Sequence, residues 1–213
     1  MFFNKKVAPP AVQTPTEIQA TTPSMPSSYK IKSVPFTTQA PYGVWDMLHN
    51  EACEKASVLM AYAWIKNINI SQDFAEQEIQ KLSAWSFNKF NSWDLSAKET
   101  AEMALANYGL NSTLINNPSA DDIKKELLQN HIVVMGMAGM KLENPYFKSP
   151  GPIYHMLVFT GYDKTGFIVN DPGTKRGKDF HYSYQNIQDS AHDWNGSPDT
   201  LLQSLPVAII FSK

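Results

Sequence analysis

The 213-residue chain contains one cysteine, and it stands in a polar stretch, "HNEACEKAS" over residues 49–57, rather than in an apolar run. A lone cysteine is most often a small buried hydrophobe, so packing is the explanation to beat. The alternative is nucleophilic chemistry. A thiolate that attacks a carbonyl needs a general base and acid beside it, a group that orients that base, and donors for the oxyanion that forms. Asn50 is a good N-cap, and Ala52, Ala56, Leu59, Met60, Ala63 and Trp64 recur after it at helical spacing. That pattern predicts a helix from about Asn50 with Cys53 in its first turn. The positive end of the helix dipole favours thiolate there, while Glu51 and Glu54 oppose it.

His155 is the candidate base. It opens an apolar strand directly after the breaker-rich "NPYFKSPGPIY", which puts it at the rim of a sheet, where a catalytic imidazole keeps partial access. Asp171 ends the next strand at "VNDPG" and is the candidate orienting group, with Asn170 as the neighbouring alternative. A bulged hairpin turn with Gly166 in the left-handed conformation and Asp163 opposite Phe167 puts odd positions of both strands on one face, 155 and 171 included. An even loop places Asn170 there instead. Ideal register still leaves 155 and 171 several residues apart, so strong coiling is needed to join them. Gln39, in "PFTTQAPYG", offers an amide that donates to an oxyanion without competing as a base. Each residue alone has a duller explanation: a packing cysteine, a loop amide, a strand-edge histidine, an Asp-Pro-Gly turn.

The elements that must position these residues divide the chain in two. Helical patterns follow at "DFAEQEIQKLSAW", at "SAKETAEMALANYG" with Gly109 as C-cap, and at "SADDIKKELLQN". After them "HIVVMGMAG", residues 155–161, residues 167–170, "KDFHYSYQNI" and "LPVAIIF" read as strands. The fold class is α+β, a helical N-terminal half packed on an antiparallel sheet. The loop "WSFNKFNSWD" carries Trp85, Phe87, Phe90 and Trp93, which either wall a cleft or join the core. Residues 139–154 form either a flap over the site or an ordinary surface crossing. Residues 1–30 are rich in Pro, Thr and Ser and read as a disordered spacer before a domain at 31–213, of the kind that joins a domain to an anchor or a second module.

Composition narrows the classes. Forty-three per cent hydrophobic residues suffice for a core. The 18 basic and 20 acidic side chains are well mixed, and Arg176 is the single arginine, which argues against a nucleic-acid binder. Five histidines without metal-ligand spacing give no expectation of a metal or other cofactor. One cysteine permits no internal disulfide, and no apolar run is long enough to span a bilayer, so the chain is expected to be soluble as given.

The blocks "VPFTTQAPYGVW", "HNEACEKAS", "YHMLVFTGYD" and "VNDPGTKRG", taken in order, resemble the peptidase C-39-like family within the papain-like cysteine peptidases, relatives of the bacterial peptidases that trim double-glycine leaders. The resemblance spans about Val34 to Arg176. It implies a papain-like fold, a peptide or protein substrate, Cys53 as nucleophile, His155 as base and acid, Asp171 as orienting residue and Gln39 as oxyanion donor. The cysteine sits in "EACEKA" rather than a "DCG" context, and no membrane or ATP-binding module follows, which counts against leader trimming for export. Two other functions fit the same residues: acyl transfer to an amine, transglutaminase-like, and peptide binding without turnover.

Overall fold

The computed structural model describes Met1 and residues 25–213, so most of the expected spacer, residues 2–24, lies outside the described residues. The first helical segment begins differently from the expectation. Asp46 caps a short helix α1, Met47–Asn50, by accepting the His49 N–H at 2.9 Å, so Asn50 ends a helix instead of starting one. Helix α2, Cys53–Lys66, then starts at the cysteine itself, with Ala52 as N-cap and no side-chain cap. It is buried over most of its length, which is why its sequence lacks a clean polar stripe. Helix α3, Gln72–Phe90, is capped by Ser71 and runs through the first part of the aromatic stretch expected to be loop, stopping at Asn91 in the left-handed region. Trp85 and Phe90 pack against the core, and this tertiary burial holds the extra turn in helix. A capping box between Ser96 and Glu99 starts α4, Ala97–Tyr108, and Gly109 closes it at φ 66° as expected. Ser119 and Asp122 box α5, Ala120–Leu128, in the same way.

Seven antiparallel strands form one sheet: β1 Tyr29–Lys30, β2 Thr113–Asn116, β3 Ile132–Ala138, β4 Tyr154–Tyr162, β5 Gly166–Asn170, β6 Phe180–Ser183 and β7 Val207–Phe211. Their order is β2-β7-β3-β4-β5-β6, with β1 added beside β4. Strands β3 and β4 are buried at every position, matching their unbroken apolar sequence. The stretch expected as one strand over 178–187 divides: Ser183 caps a helix α6, Tyr184–Ser190, by accepting the Asn186 N–H. The expected α+β arrangement, helices first and an antiparallel sheet after, is the one found.

The β4–β5 hairpin positions the candidate site, and its register differs from the expected one in an informative way. Tyr162 pairs with Phe167 and Gly161 with Ile168, one step off the expected pairing, and a bulge at Thr160 then makes Phe159 face Val169 and Val158 face Asn170. Continued along the strands, that register sets Leu157 against Asp171 and His155 against Gly173. The bulge restores odd-with-odd parity and shortens the offset between 155 and 171 to two residues, a diagonal neighbourhood that long side chains bridge. Gly166 is not left-handed. The turn is closed by the Asp163 carboxylate, which accepts from the N–H groups of Thr165 and Gly166 at 2.7 and 3.1 Å. Glycine is needed at 166 because a Cβ there would lie 2.0 Å from the Tyr182 carbonyl oxygen.

Candidate active site

Of the two residues offered as orienting groups, Asp171 meets the histidine. His155 Nε2 lies 2.7 Å from Asp171 Oδ1, with both side chains almost completely buried. Asn170 is committed elsewhere, donating to the Pro35 carbonyl and accepting the Asp179 N–H. The Gly173 N–H donates to Asp171 Oδ1 at 2.8 Å, while Tyr182 Oη at 2.7 Å and Asn144 Nδ2 at 3.0 Å donate to Oδ2. Asn144 Nδ2 also donates to Tyr182 Oη at 2.7 Å, so the three side chains form one buried network. Burial pushes the Asp171 carboxyl up, but the His155 charge and the hydrogen bonds from His155, Tyr182 and Gly173 outweigh it and hold the group below the usual carboxylate range. Burial and the Asp171 charge raise the Tyr182 phenol, which therefore stays a donor. An ionised Asp171 accepting from His155 Nε2–H leaves Nδ1 as the basic ring nitrogen. Phe147 stacks edge-on against the imidazole at 5.3 Å, and a Cβ on Gly173 would come 2.9 Å from its Cε1.

Cys53 is the first residue of α2 and is 2% exposed, among core side chains. No hydrogen bond links it to His155 among the described residues. Burial first, then the carboxylates of Glu54 and Asp94, push its thiol well above the usual cysteine range, and Lys55 only partly opposes them. The resting group is thus a thiol, although the helix start was expected to favour thiolate. The acids are held by structure. Glu54 Oε1 accepts the Leu95 N–H at 2.9 Å, and its Oε2 lies 3.2 Å from Lys55 Nζ, both side chains fully buried. Lys55 also donates to the carbonyls of Glu51 and Trp93, which fastens the 92–95 loop to the start of α2. Asp94 is pushed up to about 8 by burial and the charges of Glu54 and Glu51. Gln39 Nε2 donates to the carbonyls of His49 at 2.8 Å and Asn50 at 2.9 Å, and its Oε1 is buried without a partner. Its two amide hydrogens are therefore engaged just ahead of Cys53.

Gln39, Asn50, Glu51, Trp93 and Asp94 face Tyr146, Phe147, Tyr154, His155 and the 173–176 loop across a cleft of about 1250 Å3. Thus Gln39 and His155 share one cleft with Asn50 and Glu51, which precede Cys53, while the buried cysteine is not among the residues that line it. Of the four loop aromatics only Trp93 lines the cleft; Phe87 stacks on it, and Trp85 and Phe90 pack inward. The 139–154 segment forms the β-side wall, closed at its base by Gly139 N–H to the Ile153 carbonyl at 3.0 Å. Asn144 and Tyr182 are the site residues that sequence reasoning missed. Asn144 lay in a segment read for flexibility, and Tyr182 in a strand without special pattern. Among the described residues no cluster of three or more His, Cys, Asp or Glu is placed to hold a metal, and no helix is long and apolar enough to cross a membrane.

The chain is similar to a C39-like peptidase from Bacillus anthracis, whose crystal structure superposes with a TM-score of 0.59 at 15% identity, covering 87% of this chain and 98% of that one. That likeness establishes the shared fold. A chain from structural work on the mite allergens Blo t 1 and Der p 1 gives a TM-score of 0.48 at 12% identity, covering 92% and 74%. No curated protein sequence matches. The Peptidase_C39 like family matches residues 31–199, which include strands β2 to β6 and every residue that lines the cleft, and to that family this chain belongs.

Proposed function

We propose that the protein is a cysteine peptidase that hydrolyses a peptide amide through a Cys53 thioacyl intermediate. The observation that carries this reading is the His155–Asp171 contact of 2.7 Å in the wall of a cleft that Gln39 also lines, together with Asn50 and Glu51 just ahead of the Cys53 helix. His155 Nδ1 takes the Cys53 Sγ proton as sulfur attacks the substrate carbonyl. Because the resting thiol is favoured, proton transfer accompanies attack instead of preceding it. The backbone N–H of Cys53 at the open end of α2 faces the oxyanion, and Gln39 supplies a second donor by exchanging one of its backbone carbonyls for it. The imidazolium returns its proton to the leaving amine, the C–N bond breaks and the thioester remains. Water then loses a proton to His155 Nδ1 and attacks the thioester, the C–S bond breaks to release the acid, and the imidazolium returns that proton to the departing Cys53 sulfur.

The test pairs turnover with stability. Cys53→Ala is expected to reduce hydrolysis of a peptide library to background while changing Tm by only a few degrees, since it removes one small buried atom worth about 1 kcal/mol. Persistent turnover in this variant would exclude Cys53 as nucleophile.

A further inference from the structure

The chain's one arginine stands in the cleft. Arg176 lies on the short loop that leaves Asp171, three residues beyond Gly173, where an added Cβ would come 2.9 Å from the His155 ring. The loop is rigidly built: Asp171 N–H donates to the Gly177 carbonyl at 2.9 Å, and the Arg176 N–H to Thr174 Oγ1 at 3.2 Å. The guanidinium carbon sits 4.7 Å from the centre of the Tyr146 ring. Tyr146 is itself fixed, because its N–H donates to Asn144 Oδ1 at 2.9 Å and its ring packs edge-on against Phe180. Arg176 therefore rests on a platform made by the same asparagine that holds Asp171. Its donor fork remains free: among the described residues neither Arg176 nor the adjacent Lys175 pairs with a carboxylate. A stacked, unpaired guanidinium is preorganised for a planar, two-oxygen acceptor.

The opposite wall carries Glu51 and Asp94, whose carboxyls burial raises, Asp94 to about 8, so the cationic groups of the cleft stand on the His155 side, at Arg176 and Lys175. Building on the hydrolase proposed above, the acyl half of a substrate stays with Cys53 and the leaving amine lies toward the histidine that protonates it. The leaving half then runs along the 173–176 loop. Arg176 lies within about 11 Å of Gly173, the span of three extended residues. We propose that Arg176, assisted by Lys175, is a specificity-determining residue that binds a carboxylate within the first three residues on the leaving side of the scissile bond. Either an Asp or Glu side chain or a free chain terminus supplies that chemistry.

The experiment uses a library of proteome-derived peptides, half of it methyl-esterified to mask every carboxylate, with cleavage products identified by mass spectrometry. Wild-type protein is expected to enrich carboxylates at the first three leaving-side positions about fivefold, the range of one charge-assisted contact at an exposed site. Internal Asp or Glu and chain termini are told apart by position. Arg176→Gln is expected to abolish the enrichment and Arg176→Lys to keep part of it. A second arm immobilises Cys53→Ala protein and measures retention of free against esterified peptides, with the Cys53→Ala/Arg176→Gln double variant beside it. Preferential retention that depends on Arg176 supports the assignment even where no peptide is cut, in which case the hydrolase proposal alone fails. Cleavage or retention indifferent to carboxylates, or a preference unchanged in Arg176→Gln, overturns it.

Discussion

Removing the Tyr182 hydroxyl tests the buried carboxylate network directly. In Tyr182→Phe, Asp171 Oδ2 keeps only the Asn144 donor, and Asn144 itself loses an acceptor at 2.7 Å. A hydrogen bond to a charged, fully buried carboxylate contributes about 1.5–3 kcal/mol, against roughly 0.5–1.5 kcal/mol for a neutral pair. The expected loss is therefore about 1.5–3 kcal/mol, a fall in Tm of roughly 3–12 °C for a chain of this size. Tyr162→Phe is the control, since its hydroxyl donates to the neutral Pro26 carbonyl at 3.1 Å, and it should lose less. The pH dependence carries a sign. Asp171 is held below the usual carboxylate range, so its stabilisation is present above its unfolded pKa and fades as pH falls through the lower folded value. The gap between wild type and Tyr182→Phe is then full at neutral pH and narrows below about pH 4. Urea denaturation followed by circular dichroism at pH 3 to 8 measures it. In an Asp171→Asn background the same substitution should lose about 1 kcal/mol less. A Tyr182→Phe penalty below about 0.5 kcal/mol, or one independent of both pH and Asp171, refutes the reasoning.

Two further perturbations address the floor beneath Cys53. Lys55→Met strands the Glu54 carboxylate in the interior and should lower stability by about 3–5 kcal/mol, whereas the double variant with Glu54→Gln recovers most of it, as thermal denaturation will show. Asp94→Asn removes a charge that raises the Cys53 thiol, and that charge exists only above its pKa of about 8. Alkylation of Cys53 by iodoacetamide should therefore match wild type at pH 6 and exceed it several-fold at pH 9. The same variant should also flatten the fall of stability with rising pH, because a carboxyl raised on folding stabilises most at low pH and loses that contribution as pH climbs to about 8.

The element types were legible where one local rule acted without competition: helical spacing for α4 and α5, Gly109 for a helix end, and the β-branched run after His131 for a buried strand. The pairing of His155 with Asp171 was legible only as a shared face, and the expected register reached it by another route, because Gly161 hints at a bulge in the strand without fixing how far the register shifts. Asn144, Tyr182 and the Glu54–Lys55 pair were invisible for a related reason, since Asn144 and Tyr182 act through partners 11 to 38 positions away and the Glu54–Lys55 pair acts through burial that only packing creates.

Burial also changes the chemistry expected of the cysteine. The sequence pits a helix start against two glutamates, a contest near balance. Packing adds desolvation to the side of the glutamates, and the thiol wins. On the proposed mechanism, reactivity then depends less on a resting thiolate than on an imidazole held so that Nδ1 meets the proton as it leaves. That posture is set by Asp171, and Asp171 by donors from three segments, Asn144, Gly173 and Tyr182. Since Asn144 also anchors the Tyr146 platform under Arg176, the group proposed to read the leaving half of the substrate and the group proposed to protonate it share one support. Loosening that support should therefore impair specificity and turnover together, whereas substitution at Arg176 itself should impair specificity first.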